Sequence, residues 1–503
     1  MNKSRFLLVS PATAFDPKDP FTTGVVFLPI GLAYGAAALE KAGVEVTVLD
    51  LFGEAPQNPS AMNEYIRLGA PNELLIQRAL DFNPELVLFY ANQLLNHESL
   101  IESIVELRRS LPDVLIGVAE NTQAVTAYLL SEVSSDFFIS GADFIISGEM
   151  EEVLEQISKN VLMNLHLDSW NLDGVSTAKD TKNRSAKLVN LDALEFPAWH
   201  LFPLQNYWKI GYAHGPFESD SYLPLLTSRG CPFPCKFCVV PATNNRKWRF
   251  RSAINVVNEI ERFINDFGVR EFHLEDLNPT IQDSRMQEIA RELIKRDLKV
   301  KWKIVAGTKI ESIKSIETLQ LMNESGLNYL SMSPESGSKK VLKEIGKPFD
   351  VNHALLMIRK CYELKIRTQA CFVLGYPTEK SFDRLQSLLL ALRMTISGID
   401  EIVVFIMSPV PGSEVYNSYL GQFDSLASLS FSPRWRLDFL RLLLWRITFY
   451  TLFLAFKFLR NPLRMLAQLQ NLWTGRFQTK MEMTPIRGLK YLFLAKKLSK
   501  GEK

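Results

Sequence analysis

Short apolar runs and helix-forming stretches alternate along the first third of the chain. The apolar runs are rich in β-branched residues, as in 44–51 (Val-Glu-Val-Thr-Val-Leu-Asp-Leu), and this composition is typical of strands. The stretch 29–43 is rich in alanine and ends at a glycine, which is typical of a helix. The pattern predicts strands over 4–10, 44–51, 86–90, 114–118 and 144–147, and helices over 29–43, 98–111, 122–133 and 149–157. Such alternation predicts a doubly wound parallel sheet over 1–160, with ligands beyond the carboxyl ends of its strands.

A second alternation follows a mixed stretch, 161–220, which we interpret as a linker with a small hairpin and with Trp199 and Trp208 as packing residues. The later pattern gives six β/α repeats, too few to close an eight-stranded barrel. We therefore expect an open partial barrel over 221–420. Its predicted strands are 222–228, 271–275, 301–305, 329–333, 368–374 and 402–407, and its predicted helices are 252–267, 284–296, 315–325, 353–364 and 380–394.

The C-terminal region, 421–503, combines dense apolar residues with scattered arginine and lysine. Its longest uncharged run, 447–456, is much shorter than the roughly 20 residues that cross a bilayer. We therefore expect helices that lie in a membrane interface, with basic side chains at the headgroups. The alternative is a helical cap packed on the mouth of the barrel. We expect no nucleic acid as a partner, because so many aliphatic residues separate the charges.

Charge is distributed unevenly along these 503 residues. The chain has a net charge of +2, yet residues 433–503 hold 15 Lys and Arg against 3 Asp and Glu. A basic tail on an acidic body indicates an anionic surface as a partner. The five cysteines do not suggest a disulfide framework, and the chain starts without a signal-peptide pattern. We expect a cytoplasmic protein, peripheral on the inner face of the membrane.

Three of the five cysteines, Cys231, Cys235 and Cys238, form a Cys-x3-Cys-x2-Cys array between prolines and a glycine. Four thiolates normally fill a cubane iron–sulfur cluster, so three leave one iron free for an outside ligand. Zinc is the first alternative, although no fourth ligand is close in sequence. The other alternative is that the three cysteines are free thiols in the core. Cys361 is interpreted as a core residue, and so is Cys371, for which a role in the barrel lumen is the alternative.

The loop 227–241 resembles the cluster motif of the radical S-adenosylmethionine (SAM) enzymes, including the aromatic Phe237 before the last cysteine. Polar or glycine-containing signatures follow the later strands in the order that this family shows. The resemblance implies that Cys231, Cys235 and Cys238 hold a [4Fe–4S] cluster. It also implies that SAM is bound by Glu275, Asp276, Ser333, Glu335, Ser336 and Gly375. At the end of the third strand, Lys309 stands where relatives often carry an arginine, so its role is open.

The N-terminal half resembles the cobalamin-binding domain that precedes many radical SAM modules. The matching pieces include 28–34 and 83–87, and the resemblance implies cobalamin contacts at Ser10, Pro11, Asp50, Gly117, Gly148 and Glu149. The sequence departs from the pattern of that domain at two points that concern cofactor binding. No Asp-x-His-x-x-Gly supplies a histidine as lower cobalt ligand, and the usual glycine pair is reduced to Gly117. We interpret His97 as a surface residue. The alternative is a sheet that has lost its cofactor.

The resemblance as a whole is to cobalamin-binding-domain radical SAM proteins, and it covers residues 1–416. It implies cleavage of SAM to a 5′-deoxyadenosyl radical and methylation of an unactivated carbon. The tail favours a hydrophobic substrate, such as a lipid, isoprenoid or tetrapyrrole, and the chemistry requires an electron donor such as flavodoxin or ferredoxin. The alternatives are a radical SAM cyclase or oxidoreductase without methyl transfer, and a non-catalytic cofactor-binding module at a membrane. A methylthiotransferase is disfavoured, because no cysteine precedes Cys231.

Overall fold

A computed structural model of the chain describes residues 3–124, 126–180, 185–187 and 190–500. The first α/β unit has a six-stranded sheet in the order β3-β1-β6-β7-β8-β9, and all pairs are parallel except β8 with β9. Its strands are β1 (Arg5–Ser10), β2 (Thr13–Phe15), β3 (Glu45–Asp50), β4 (Pro59–Met62), β5 (Tyr65–Leu68), β6 (Leu86–Ala91), β7 (Leu115–Glu120), β8 (Phe144–Ile146) and β9 (Val175–Thr177). Its helices are α1 (Ile30–Lys41), α2 (Leu51–Glu54), α3 (Asn72–Phe82), α4 (His97–Ser110), α5 (Ser134–Ile139) and α6 (Glu151–Leu162). The predicted doubly wound parallel sheet is confirmed.

One predicted helix of this unit is wrong. The described residues 122–124 and 126–133 form irregular structure with one short 3-10 turn at its end, and α5 begins only at Ser134. Several backbone groups of this segment bond to other parts of the chain. The Leu94 N–H donates to the Thr126 carbonyl, and the Leu129 N–H donates to the Pro411 carbonyl. Tertiary hydrogen bonds have overridden local helix propensity.

Other elements of this half were not predicted. Strands β2, β5 and β4 form a small antiparallel sheet, and α3 precedes β6. In the segment 161–220, β9 joins the main sheet and a helix α7 (Leu204–Ile210) follows, so the described residues contain no separate hairpin. Part of that segment, 181–184 and 188–189, lies outside the described residues. Trp199 is fully buried and the Trp208 indole donates to the Tyr222 carbonyl at 2.9 Å, so both pack as expected.

The second unit contains the predicted open barrel. Its parallel sheet runs in chain order, β10-β13-β14-β15-β16-β17, and an additional two-stranded ribbon pairs β11 with β12. The strands are β10 (Leu223–Leu225), β11 (Ser228–Arg229), β12 (Arg249–Phe250), β13 (Glu271–Leu274), β14 (Lys301–Thr308), β15 (Leu327–Glu335), β16 (Arg367–Leu374) and β17 (Glu401–Ile406). The helices are α8 (Val240–Asn244), α9 (Ala253–Phe267), α10 (Asp283–Lys295), α11 (Ile316–Glu324), α12 (Lys339–Glu344), α13 (Val351–Glu363) and α14 (Ser381–Ser397).

The tail forms three helices, α15 (Phe439–Arg460), α16 (Pro462–Thr474) and α17 (Lys480–Ser499). Helix α15 covers the last barrel strand, whose outer edge has no further strand. The Tyr450 hydroxyl accepts from the Val404 N–H at 3.1 Å, and the Phe431 carbonyl accepts from the Ile406 N–H. An exposed edge strand invites pairing with other chains, and α15 prevents it here.

By length and composition α15 is also the one described helix that could cross a membrane. The short uncharged run in the sequence did not suggest this.

A buried ion-pair group joins the two α/β units. Arg229, at the end of β11, pairs with Glu151 at 2.6 Å and with Glu149 at 3.3 Å, and all three side chains are almost fully buried. Arg249 of the neighbouring strand also pairs with Glu149, at 2.6 Å. The Arg229 guanidinium lies over the ring of Tyr34, 5.0 Å from its centroid. Removing one partner of such a group leaves a charge buried without compensation.

We predict that Arg229→Met lowers the free energy of unfolding by about 3–5 kcal/mol, because Glu151 then stays buried without a cation. Urea denaturation measures the loss. The matched control is Arg262→Met, which breaks an exposed pair with Asp266 and should cost less than about 1 kcal/mol. Equal effects of the two substitutions would show that the buried pair contributes no more than a surface pair.

Candidate active site between the two units

The three cysteines lie in the loop between β11 and α8, directly after Arg229. Gly230 starts this loop with φ of +80°, and a Cβ there would meet the Lys247 carbonyl oxygen at 2.0 Å, so only glycine fits. The loop closes on itself through the Cys238 N–H, which donates to the Cys235 carbonyl at 3.1 Å. All three thiols are partly buried. The structure therefore fixes the turn that carries the predicted ligands.

Burial raises the pKa of all three thiols, to about 11 for Cys235 and about 12 for Cys238. The neighbouring cysteines act on one another, since each negative charge raises the pKa of the next. Backbone N–H groups of Phe233 and Val240 act in the opposite direction on Cys231 and Cys238. Hydrogen bonds to sulfur are one means by which proteins tune iron–sulfur clusters.

Two lysines lie near the thiols. The Lys347 ammonium donates to a Glu335 carboxylate oxygen at 2.6 Å, and Lys309 lies over the Phe233 ring at 5.3 Å from its centroid. Burial alone would lower the pKa of Lys347, but Glu335 and Cys235 outweigh it and hold the pKa above its usual value. Lys309 therefore contacts the cysteine loop.

In the described part of the chain no three His, Cys, Asp or Glu side chains form a group arranged to hold one metal ion. A cubane cluster makes a different demand, because each of its irons takes a single thiolate. Three thiols on one short loop, with N–H groups and lysines around them, are the donor set that such a cluster needs. The residues present therefore fit the group that the spacing predicts.

Of the predicted SAM residues after β13, Glu275 and Asp276 point to different surroundings. A Glu275 carboxylate oxygen lies 2.6 Å from Nδ1 of His214, and the side chain borders a cavity. Asp276 is fully buried, and its carboxylate accepts from the Thr227 N–H at 2.9 Å and from the Ser228 hydroxyl at 2.6 Å. Glu275 is placed to meet a ligand, whereas Asp276 fixes the start of the cysteine loop.

The three predicted SAM residues at the end of β15 also differ in their surroundings. Ser333 is half-buried and approaches Gly307 so closely that a Cβ on that glycine would lie 1.8 Å from the Ser333 hydroxyl. Glu335 has φ of +61° and is paired with Lys347. Ser336 is fully buried, with its hydroxyl 3.0 Å from that of Ser387. Of these three residues, only Ser333 is not buried.

Gly375, after β16, is joined to the tail. Its φ is +89°, its N–H donates to Glu379 at 2.6 Å, and its carbonyl accepts from Arg436 at 2.9 Å. Arg436 also donates to the Met407 carbonyl at the end of β17. The segment before α15 therefore lies at the carboxyl ends of two barrel strands, which was the alternative expected for the tail.

A small cavity of about 30 Å³ lies where the carboxyl ends of β6 and β7 face the barrel. Such a volume has room for one or two water molecules and marks the place where the two units meet. One wall is Glu275, and the other walls come from the N-terminal unit. Phe27 stacks on His214 at its edge, with ring centroids 4.5 Å apart. The lining residues are Phe27, Leu28, Pro29, Ile30, Tyr90, Asn92, Gln93, Asn121, Gln123, Ala124, Thr126 and Glu275.

We did not predict from the sequence the polar residues that line the cavity. Asn92 and Gln93 directly follow β6, while Asn121 and Gln123 follow β7. The rule that ligands bind at the carboxyl ends of parallel strands was the signal that could have found them. The Thr126 hydroxyl at this site is buried without a hydrogen-bond partner among the described residues. A buried polar atom of this kind calls for a ligand or a water molecule.

The predicted cobalamin residues do not line this cavity. Asp50 accepts from the Tyr207 hydroxyl at 2.6 Å and from the Gly53 N–H, and burial raises its pKa to about 6. A Cβ on Gly117 would meet the Phe144 ring at 2.3 Å. The Gly148 N–H donates to Glu120. The remaining three are Ser10 and Pro11, which are buried, and Glu149, which is paired with Arg229. Leu28, Pro29 and Ile30, from the quoted 28–34 match, do line it.

His97 is not the surface residue that we expected. It is 4% exposed, and its ring nitrogens lie 3.0 Å from the Tyr128 hydroxyl and 3.2 Å from the Asp136 carboxylate. With both nitrogens bonded inside the N-terminal unit, His97 does not face the cavity. The cavity lining contains no histidine.

The tail also contributes to the interior of the barrel. The Lys480 ammonium, from the first turn of α17, donates to the Val305 carbonyl at 2.9 Å. Burial lowers the pKa of Lys480, while Cys371, Glu401 and Glu275 oppose that shift. Cys371 is half-buried on β16, and burial raises the pKa of its thiol to about 11. It therefore faces the lumen, whereas Cys361 is fully buried in the core as expected.

The comparison with protein families finds the radical SAM superfamily over residues 225–389, which contain the three cysteines, Glu275 and Ser333. The chain therefore contains a radical SAM domain. The matched residues cover the barrel from β10 to α14. The cysteine array lies inside this domain and has the spacing that the iron–sulfur cluster of the superfamily requires.

Three curated relatives of this radical SAM enzyme are informative. Cytidylyl-2-hydroxyethylphosphonate methyltransferase of Streptomyces wedmorensis is 27% identical over 83% of this chain and 82% of its own length. Anaerobic magnesium-protoporphyrin IX monomethyl ester cyclase of Cereibacter sphaeroides is 29% identical, over 56% of this chain and 49% of its own. Hopanoid C-3 methylase of Methylococcus capsulatus is 21% identical, over 80% and 71%.

Solved structures share the fold over both α/β units. The radical SAM methyltransferase TsrM of Kitasatospora setae, solved with tryptophan and a SAM analogue, matches with a TM-score of 0.62 and 16% identity, over 84% of this chain and 76% of its own. The cobalamin-dependent radical SAM enzyme OxsB, solved with aqua-cobalamin, matches with a TM-score of 0.61 and 19% identity, over 85% and 57%. At this identity the likeness shows the architecture alone.

The environment of Asp50 predicts a pH dependence of stability. Its pKa is about 6 in the folded protein and 3.8 as the ordinary value, so the folded state holds a proton that the unfolded state loses first. Wild type should therefore lose about 3 kcal/mol of unfolding free energy relative to Asp50→Asn as the pH rises from about 4 to about 6, with no further change above. Urea denaturation across this pH range measures the difference, and parallel curves for the two proteins would contradict the burial of an ionisable group there.

Proposed function

We propose that this radical SAM enzyme is a cobalamin-dependent methyltransferase that acts on an unactivated carbon of a hydrophobic substrate. One observation carries the proposal: the carboxyl ends of the N-terminal sheet and Glu275 of the barrel border the same cavity. A cofactor bound at the end of the first sheet would therefore face the ligand of the second. The matching architecture of TsrM and OxsB, one titled a methyltransferase and the other cobalamin-dependent, supports this arrangement.

The residues around the cavity fit the chemistry of a corrin. The amide side chains of Asn92 and Gln93 can pair with the amide groups that surround such a macrocycle, whereas those of Asn121 and Gln123 donate to the Asn92 carbonyl and the Thr122 hydroxyl. The cavity of about 30 Å³ is far smaller than a corrin, so binding requires the two units to move apart. Among the described residues, no histidine lines the cavity.

When bound, the cluster and SAM supply a 5′-deoxyadenosyl radical, and cobalamin supplies the methyl group. The protein holds and orients these groups. Cys231, Cys235 and Cys238 would hold the cluster, and Glu275, whose carboxylate is hydrogen-bonded to His214, would bind the ammonium of SAM. Asp276 and Ser336 support the loops that carry these contacts, since their polar atoms bond within the protein. The electron that reduces the cluster comes from a carrier such as flavodoxin or ferredoxin.

The substrate is proposed to be hydrophobic on the character of the barrel lumen. Along β16 and β17 alternate residues are buried against the helices, and the residues between them, Val373, Val403 and Phe405, are half-buried toward the lumen. Two relatives are named for hopanoid and magnesium-protoporphyrin substrates, whose ring systems are largely apolar, whereas the relative from Streptomyces wedmorensis is named for a polar phosphonate. We assign the enzyme to the cytoplasm and the substrate class to lipids, isoprenoids or tetrapyrroles.

The cyclase relative favours a second candidate, in which the same machinery closes a ring or oxidises its substrate without methyl transfer. The mass of the product distinguishes the two functions. Methyl transfer adds one carbon and two hydrogens, whereas ring closure or oxidation adds no carbon. Release of 5′-deoxyadenosine from SAM under reducing, anaerobic conditions is common to both. Its absence from reconstituted, reduced protein would leave only a non-catalytic binding module.

We predict that replacing Cys231, Cys235 and Cys238 together by alanine abolishes iron binding and SAM cleavage, because no other described thiol lies on that loop. Iron and sulfide analysis, the brown chromophore and 5′-deoxyadenosine release measure the effect. Cys361→Ala is the control, since that thiol is buried elsewhere and should leave the iron content unchanged. A triple variant that keeps its chromophore and SAM cleavage would refute the assignment of the site.

We also predict that Asn92→Ala and Gln93→Ala weaken cobalamin binding by about tenfold each, the cost of about 1.4 kcal/mol for a lost hydrogen bond to a ligand. Spectrophotometric titration of the apoprotein with hydroxocobalamin measures the change without requiring activity. Asn258→Ala, on α9 away from the cavity, is the control. Unchanged affinity in both cavity variants would place the cofactor elsewhere or remove it from the proposal.

A further inference from the structure

Helix α15 is apolar on two opposite faces. The inner face lies in the main hydrophobic core against the barrel, through Leu442, Phe449 and Phe453, each fully buried. The outer face repeats apolar residues at intervals of three, four or seven, so that they form one stripe. The stripe consists of Leu440, Leu444, Ile447, Leu454 and Phe458, which are between 37% and 72% exposed.

Helix α16 continues the exposed apolar surface. None of its residues is buried, and Leu463, Leu466, Leu469 and Trp473 are 79%, 56%, 51% and 92% exposed. Between Leu437 and Trp473 lie twelve of the 29 exposed large apolar side chains of the described residues. A monomeric soluble protein rarely exposes such a concentration, which normally marks a binding surface. We call the exposed apolar residues of α15 and α16 the outer face.

Basic residues accompany the outer face. From Leu437 to Arg476 the sequence contains six lysines and arginines and one acidic residue, Asp438. Arg441 and Arg476 have side chains 64% and 68% exposed, and Arg460 is exposed at the end of α15. Trp473 is an aromatic side chain of the kind that favours the boundary between headgroups and acyl chains. Apolar and cationic groups on one surface are complementary to an anionic lipid surface, where each cation adds about 1 kcal/mol.

Helix α15 cannot cross a bilayer while the barrel is intact. Its inner face covers β17, and Lys457 donates to the Asp400 carbonyl at the start of that strand. Tyr450 holds the Val404 N–H from the same face. Insertion across the membrane would strip these contacts from the barrel edge. The helix must therefore lie parallel to the membrane plane, with only the outer face in the lipid.

We propose that the outer face of α15 and α16 is a peripheral membrane-binding surface that docks the enzyme on an anionic bilayer. The inference deepens the proposed function, because a hydrophobic substrate dissolves in the bilayer that this surface would contact. Only the role of the surface in substrate access rests on the proposed function. Lipid binding itself is independent of SAM cleavage. An enzyme that floats with vesicles but yields no 5′-deoxyadenosine would refute the proposed function and leave the surface in place.

Flotation of the full chain with phosphatidylcholine vesicles containing phosphatidylglycerol tests the proposal. Wild type should float, and Leu444→Gln combined with Ile447→Gln should reduce partitioning by at least about tenfold, as should Leu466→Gln combined with Trp473→Gln. The matched control is Leu80→Gln combined with Leu356→Gln, exposed leucines on α3 and α13, which should float like wild type. Circular dichroism verifies that each variant is folded. Wild type that never floats, or outer-face variants that float equally well, would overturn the proposal.

A second experiment tests the contribution of charge by comparing binding to vesicles with and without phosphatidylglycerol. Arg441→Glu and Arg460→Glu should each weaken binding to anionic vesicles by about fivefold or more and leave binding to neutral vesicles little changed. Light scattering with size exclusion reports whether the outer face instead joins two copies of the chain. A stable dimer without lipid, which Leu444→Gln with Ile447→Gln converts to a monomer and which does not float, would overturn the membrane assignment.

Discussion

The buried guanidinium of Arg229 is the interaction on which the arrangement of the two units depends. An arginine cannot escape burial by losing its proton, so the second unit can close against the first only where carboxylates meet it. Glu149 and Glu151, at the start of α6, meet that requirement. Arg229 is two residues before Cys231, and so the same contact that joins the units also fixes the cysteine loop relative to the N-terminal sheet.

This placement explains why the cavity has walls from both units. Parallel sheets present their loops, and therefore their ligands, at the carboxyl ends of the strands. Two such sheets can cooperate in one reaction only if those ends face each other. Here the loop 121–129 supplies the contact: the Asn244 side chain, on α8 beyond the cysteines, donates to the Thr122 carbonyl at 2.9 Å, while Gln123 borders the cavity. One loop thus joins the cofactor side and the cluster side of the site.

The sequence predicted the cysteine loop and every strand of the two main sheets except β9, because those features are local. Strand periodicity and the spacing of three cysteines are visible without any knowledge of contacts. The predicted helix over 122–133 is wrong because distant contacts decide that segment: Thr122 and Leu129 bond to Asn244 and Pro411. For Asp50 and Glu149, which match a cofactor motif, the sequence did not reveal the partners Tyr207 and Arg229. A motif indicates which chemistry a residue can perform, and only the fold shows which partner it has.

The floor of the barrel is completed by the last helix of the tail. Glu401, the first residue of β17, accepts from the Lys480 and Met481 N–H groups at the start of α17, and the Lys480 side chain enters the lumen. During synthesis the cysteine loop emerges from the ribosome long before this helix does. A nascent chain therefore passes through a stage in which its thiols are already present while the barrel still lacks the contacts of α17 with Glu401.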